Sequence, residues 1–294
     1  MNLIQVFQKF PDHESCLEHL EIVRWGDHPA CPHCKSTKVA RKQDNDREGR
    51  WNCHNCKSSF NVLSGTIFQK TKIPLQKWFL AISLVLNAKK SISSHQLSRD
   101  LDVNQKSAWY LRTRIRKAMI ESDAGMLQGI VEADECYVGG KPRKSNKSEN
   151  RDNTNKRGRG TAKMPIIGVV ERNGEVRAEQ TNNTSGTTIS AFIEKHVDLI
   201  GSLLMTDEYK GYNKIGKKMK HAVINHAHEY VNGLTNTNTI EGFWALVKRG
   251  WYGQHHHYSR KYANHYVAET CYKYNNRNLN GCVFSSFMKM AISK

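Results

Sequence analysis

The sequence predicts an α/β layered domain preceded by a cysteine-rich module and a helical segment. Three observations lead there. Two closely spaced Cys pairs fall within residues 1–65, and apolar residues recur at helical spacing between 74 and 120. From Gly129 onward the pattern changes to three consecutive strands, a helix, a further strand and closing helices. We therefore expect three parts: an N-terminal helix and Cys module over 1–65, a helical segment over 66–122, and an α/β domain over 123–294.

The first part carries Cys31-Pro-His-Cys34 and Cys53-His-Asn-Cys56, two C-x₂-C pairs separated by 18 residues. Two knuckles that each aim a thiolate pair inward build the closed tetrahedral sulfur shell that structural Zn²⁺ prefers. Cys31, Cys34, Cys53 and Cys56 are the expected ligands of a zinc ribbon. Four sulfurs leave no open position for chemistry, so this metal should build a fold rather than catalyse. Cys16, Cys136, Cys271 and Cys282 have no paired spacing and read as small apolar residues.

In the helical segment Pro74 suits a first helical position, and Trp78, Ile82, Val85 and Leu86 form an apolar stripe. A short helix capped by Ser94 should run to Leu101. After a turn at Asp102-Val103, Asn104 should cap a longer basic helix reaching Met119. Short helix, turn and basic helix resemble a helix-turn-helix, whose second helix can lie in the DNA major groove. Arg112, Arg114, Arg116 and Lys117 are the candidate DNA contacts, although residues two apart on a helix do not share a face. An ordinary helical bundle with a solvated charged face is the alternative.

In the third part, strands are expected at Ile130–Val138, Pro165–Glu171 and, after an Asn173-Gly174 turn, Glu175–Gln180. A helix over Thr188–Leu199, strands at Leu203–Asp207 and His221–Ile224, and helices from Thr239 onward complete the domain. The stretch from Lys141 to Lys163 is polar, rich in Asn, Gly and basic residues, and reads as a mobile loop.

Charge points to the partner. Lys and Arg total 45 against 27 Asp and Glu, a formal net charge of +18. Such an excess is best tolerated beside a polyanion, with nucleic acid the leading choice. No secretory signal is evident at the start, and the apolar run near Trp78–Leu86 is about half a membrane span. We expect an intracellular, soluble chain with no membrane partner.

The candidate chemistry rests on acids in the α/β part. Two apolar strand patterns end in carboxylates, Ile130-Val131-Glu132-Ala133-Asp134-Glu135 and Leu203-Leu204-Met205-Thr206-Asp207-Glu208. Acids at buried strand ends are costly unless a cation or hydrogen bonds compensate. A third comes from the helix that starts near Asn238, expected to be its cap. There Ile240, Phe243, Trp244, Val247 and Trp251 form the inward stripe. Glu241 and Lys248 are seven residues apart on one face, about 10 Å along the axis. Oxygen ligands on two neighbouring strands and a helix suit hard Mg²⁺ (or Mn²⁺), and a two-metal site clamps attacking and leaving oxygens at phosphorus. Pattern alone does not choose between Glu132 and Asp134, which share a strand face. His255-His256-His257 reads as a basic DNA-facing loop rather than a metal site.

Glu-Ala-Asp-Glu-Cys-Tyr-Val-Gly-Gly around Asp134, Thr-Asp-Glu-Tyr-Lys-Gly-Tyr around Asp207 and Asn-Thr-Ile-Glu-Gly-Phe-Trp around Glu241 resemble the DDE motifs of insertion-sequence transposases. The 33 residues between Asp207 and Glu241, and Lys248 seven later, fit that pattern. With its zinc ribbon the chain looks most similar to the ISXO-two-like subgroup over almost its whole length. The resemblance implies an RNase H-like catalytic domain, a mixed sheet flanked by helices, that cleaves element ends and transfers strands into target DNA. It implies that Asp134, Asp207 and Glu241 hold the metals and that Lys248 helps hold DNA, favouring Asp134 over Glu132. It further implies terminal inverted repeats and target DNA as partners, a homodimer or higher assembly on DNA, and a bacterial cytoplasmic, nucleoid-associated location. Cys136 departs from the Thr expected there, and a thiol near metal would alter metal preference or oxidation sensitivity. The rival readings are a non-catalytic DNA-binding regulator and a nuclease of the same fold without strand transfer.

Overall fold

The computed structural model describes residues 1–42, 49–120, 125–140, 161, 163–224, 236–257, 259–279 and 281–293. The polar loop expected between Lys141 and Lys163 lies outside the described residues apart from 161 and 163. The chain divides into two compact units, one of residues 1–120 with 278–294 and the other of residues 121–277. The C-terminal stretch, assigned from sequence to the α/β domain, is instead part of the N-terminal unit.

In that first unit α1 (Leu3–Lys9) and α2 (His13–Trp25) each begin with a capping box, from Asn2 and Asp12. A small antiparallel sheet follows, made of β1 (Val39–Arg41), β2 (Arg50–Cys53) and β3 (Ser59–Asn61) in that order. Then come α3 (Leu75–Asn87), α4 (Ser94–Asp100) and α5 (Gln105–Ala118). Pro74 caps α3 rather than entering it, and Ser93, not Ser94, caps α4 by accepting from the Gln96 amide. Asn104 caps α5 as expected. Asp102 takes a left-handed conformation, φ 47°, which turns the chain sharply between α4 and α5.

The missing piece of this core comes from the far end of the chain. Helix α10 (Val283–Ser293) buries Phe284 and Phe287, and the Phe284 ring stacks on Phe10 at 6.4 Å and meets Phe79 edge-on at 6.0 Å. The sequence predicts helices from Thr239 onward but not which core this one would join.

The second unit is built on a five-stranded sheet. Its strands are β4 (Leu127–Val138), β5 (Met164–Glu171), β6 (Val176–Gln180), β7 (Val197–Thr206) and β8 (Lys220–Val223). Their order is β6-β5-β4-β7-β8: β4, β5 and β6 run antiparallel, while β7 pairs parallel to β4 and β8 parallel to β7. Helix α6 (Gly186–His196), capped by Ser185, connects β6 to β7, and the short α7 (Asn213–Gly216) precedes β8. α8 (Asn238–Gly250) and α9 (Ala263–Asn275) follow. The expected helix over 188–199 ends three residues early. Val197 enters β7, where a register irregularity between Leu127 and Gly129 absorbs extra residues beside β4.

Side chains sort by the period of two. Val131, Ala133, Ile167 and Val169 pack on Ile189, Phe192 and Ile193 of α6 on one face. Cys136, Val138, Ile166 and Val170 pack on Ile240, Phe243, Trp244 and Val247 of α8 and on Val267 of α9 on the other. This three-layer arrangement with its mixed sheet is the RNase H-like fold, and it places the β4 end, the β7 end and α8 together.

One close approach is decisive for α8. Gly168 pairs with Asp134 across β4 and β5, and a Cβ there would stand 2.6 Å from the Trp244 ring. The missing side chain is what lets the indole lie on the sheet. Gly168→Ala should therefore force Trp244 outward and cost about 1–3 kcal/mol, the usual range for overpacking. Equilibrium urea unfolding checks this, and wild-type stability would show that the indole yields without cost.

Candidate functional site

On β4 the even-numbered residues Glu132, Asp134 and Cys136 face α8. The β4–β7 pairing runs in step to Glu132 opposite Met205; Asp134 lies two residues further along β4, and Asp207 is the first residue past β7. The two aspartates thus lie near the ends of neighbouring strands, close enough for the Asp207 charge to act on Asp134. They feel each other. Burial first, then the charges of Glu135 and Asp207, push the Asp134 carboxyl up to about 7.

The third acid is carried by α8. Trp244, 3% exposed, donates its indole N–H to Asp134 Oδ2 at 3.1 Å, while Asp134 Oδ1 accepts from the Glu135 amide at 2.7 Å. Glu241 lies one helical turn before Trp244 and Lys248 one turn after it, both exposed, so all three occupy one side of α8. Glu241 accepts from the Thr237 hydroxyl at 3.2 Å, and Asp207 accepts from the Tyr209 amide at 3.0 Å. The three carboxylates are not brought together as a ligand group in the structure. Among the described residues, the four ribbon cysteines form the group of potential ligands whose donor atoms all lie within 4.8 Å.

The donor set fits a hard divalent cation. All three are carboxylates with oxygen donors, and a half-buried carboxyl destabilised by two neighbouring negative charges is a place where added positive charge is favourable. The remaining acids point elsewhere. Glu135 faces α6 and accepts from the Tyr212 hydroxyl at 3.0 Å, and Glu208 is exposed. Cys136 is 2% exposed among the α8 side chains, and burial pushes its thiol up to about 12, so it stays protonated.

Sequence reasoning missed what Glu132 does. Its carboxylate is fully buried and bound on both oxygens: Oε1 accepts from Arg172 Nε at 2.7 Å and the Thr239 hydroxyl at 3.0 Å, and Oε2 from the Thr239 and Ile240 amides at 2.9 and 3.0 Å. Four donors saturate it. The expected Asn238 cap is not found; Thr237 sits at the cap position without capping by its side chain. Trp244 was also missed, having been read as only part of the apolar stripe. The available signal was that a buried indole N–H needs an acceptor.

The basic helix needs correction too. Arg112 is 4% exposed and donates to the Ile92 carbonyl at 2.7 Å, and Arg116 is 2% exposed and donates to Ser91 Oγ at 2.8 Å. Both hold the loop before α4, because their positions turn inward with Ala108, Leu111 and Ile115. Arg114 is half-buried, donating to the Thr66 carbonyl and lying over the Tyr110 ring at 5.5 Å. Of the four expected contacts Lys117 is exposed, and on the same helix so are Gln105 and Lys106.

In the ribbon, Cys31 Sγ lies 3.7 Å from Cys56 Sγ and Cys34 Sγ lies 3.5 Å from Cys53 Sγ. Zn–S bonds of about 2.3 Å in a tetrahedron space the sulfurs about 3.8 Å apart, whereas a disulfide requires about 2 Å. Each knuckle closes the same way. Cys31 N–H donates to Ser36 O and Cys53 N–H to Ser58 O, and Lys35 and Lys57, just after the second Cys of each pair, take φ of 62° and 58°. Trp25 of α2 packs edge-on against Trp51 and Phe60 of this sheet.

Residues 126–275, half of the chain, match the ISXO2-like transposase domain. The chain belongs to the ISXO2-like transposases. Residues 11–59, with all four ribbon cysteines, match the transposase zinc-ribbon domain, so this transposase carries a structural zinc site. A protein of Halobacterium salinarum described as an uncharacterized protein in transposable element ISH50 is 28% identical over 246 residues, 80% of this chain and 82% of its own. The family match spans Asp134, Asp207, Glu241 and Lys248. Among the described residues of the transposase, no helix is long and apolar enough to cross a membrane.

Proposed function

We propose that this transposase binds the ends of its element, cleaves DNA there and joins 3′-hydroxyl ends to target DNA, using Asp134, Asp207 and Glu241 to hold Mg²⁺ or Mn²⁺. The observation that carries the reading is the Trp244–Asp134 hydrogen bond, which ties α8, the helix that carries Glu241, to β4 at Asp134. Divalent metal bound there supplies charge neutralisation on both sides of a phosphorus undergoing in-line displacement. The protein does the positioning. Trp244 holds the Asp134 carboxylate in one rotamer, and the turn at Tyr209 orients Asp207. Lys248, exposed on the same side of α8, offers an ammonium to a DNA phosphate.

On the N-terminal unit, Lys106 and Lys117 of α5 are the proposed phosphate contacts, with Arg114 beside them. The net charge of +18 supports a polyanionic partner. Bringing two element ends together calls for a homodimer or larger assembly on DNA, acting in the cytoplasm at the nucleoid.

The test is the full-length protein incubated with a labelled duplex carrying a terminal inverted repeat and a target plasmid. Nicking that depends on Mg²⁺ or Mn²⁺ and stops with EDTA is expected, together with a covalently joined product. Metal-dependent nicks with no joined product would reduce the reading to a nuclease. DNA binding without cleavage would leave a DNA-binding regulator.

A further inference from the structure

Helix α8 lacks a side-chain cap of its own, and Thr237 makes none. The first amide groups of a helix need acceptors. Those of Thr239 and Ile240 find theirs 107 and 108 residues away in the sequence, on Glu132 of β4. The same carboxylate takes the Thr239 hydroxyl and the Arg172 guanidinium, and Arg172 Nη2 donates in turn to the Asn236 carbonyl at 2.7 Å. Four donors on one buried carboxylate make it a fixed junction between the central strand, the end of β5 and the start of α8.

What the junction holds is informative. Glu241 follows directly after Ile240, and Asp134 is two residues beyond Glu132 on the same strand face. The strand that carries one metal-binding candidate thus grips the helix that carries another, immediately beside both. We propose that Glu132, with Arg172, is the positioning residue that sets where α8 presents Glu241 relative to Asp134. It caps the helix with a full negative charge, where the helix dipole favours one, and it does not bind the metal itself. This inference rests on the catalytic reading above for its consequence, while the latch itself is a contact that can be tested without catalysis.

Removing outer-shell partners of metal ligands typically costs about 10–100-fold in metal affinity or activity. Glu132→Gln keeps the shape but cannot accept from the Thr239 and Ile240 amides and from Arg172 all at once. In the full-length protein the Mg²⁺ concentration giving half-maximal cleavage should rise about tenfold or more, with most of the lost rate recovered at high Mg²⁺. Hydrogen–deuterium exchange, without metal or DNA, should quicken at the amides of Thr239 and Ile240. Thr239→Val removes one hydroxyl donor and leaves the ion pair intact, so it keeps the test open if the Gln variant does not fold. It should shift both readouts the same way by a smaller factor.

Unchanged exchange at Thr239 and Ile240 in a folded variant would overturn the latch. Faster exchange with an unchanged Mg²⁺ requirement would overturn its positioning role. If the wild-type protein shows no metal-dependent cleavage, the catalytic reading fails, and the exchange arm still decides the capping contact.

Discussion

Asp134→Asn should lower DNA cleavage and joining by at least about a hundredfold, because even an outer-shell partner of a metal ligand is worth about 10–100-fold and Asp134 is assigned to the metal directly. DNA affinity should hold, since Asp134 is assigned to the metal and not to the phosphate contacts. The substitution has one ambiguity that the structure also resolves. Asp134 also accepts from Trp244, so its loss could act by releasing α8. Asn retains one acceptor oxygen for the two donors that Asp134 serves, the Trp244 indole and the Glu135 amide.

Two companions separate the causes. Asp207→Asn leaves the Trp244 contact untouched and should be as inactive as Asp134→Asn. Trp244→Phe removes the N–H but keeps all three acids, and should fall between wild type and the Asn variants. Turnover of a labelled end-containing duplex, beside fluorescence anisotropy for binding, measures all three. Wild-type cleavage by either Asn variant would refute the metal assignment. Equal loss in Trp244→Phe and Asp134→Asn would mean that helix docking, not metal binding, is what Asp134 provides.

How far this was legible from sequence depends on the range of the interactions. The strand-end acids stood out because a carboxylate after Ile130-Val131 or Leu203-Leu204-Met205 breaks an apolar run. Strand alternation was enough to set Glu135 on the far face from Asp134, where it meets Tyr212. The knuckles are local, so their spacing told nearly everything. Glu132 could not be separated from Asp134 by alternation, since the two share a face. Only the long-range partners Arg172, Thr239 and Ile240 show that Glu132 is saturated. The burial of Arg112 and Arg116 was hidden for a related reason. Their carbonyl and hydroxyl partners lie in a loop that no local pattern announces. α10 is the extreme case, a helix whose partners, Phe10 and Phe79, are more than two hundred residues away.

Cys34→Ser should release the zinc and unfold the ribbon. The reason is size. The module's sheet has strands of three, four and three residues, and its apolar cluster is Cys31, Cys53 and Phe60 with Trp25, Cys34, Val39 and Trp51 around them. So few buried side chains cannot offset the ordering entropy of the chain, and two of the three fully buried members are themselves metal ligands. Structural zinc contributes about 10–16 kcal/mol of apparent binding energy to such modules, which makes the ion the larger part of their core. A serine hydroxyl is a far weaker zinc ligand than thiolate, and Cys34 Sγ stands 3.5 Å from Cys53 Sγ inside the shell. Zinc per chain, measured by plasma mass spectrometry, should fall from one toward zero, and limited proteolysis should cut within residues 31–61. Cys282→Ser, at an exposed cysteine outside the cluster, should keep its zinc. A Cys34→Ser protein that retained a full equivalent of zinc would show that the four sulfurs are not the shell.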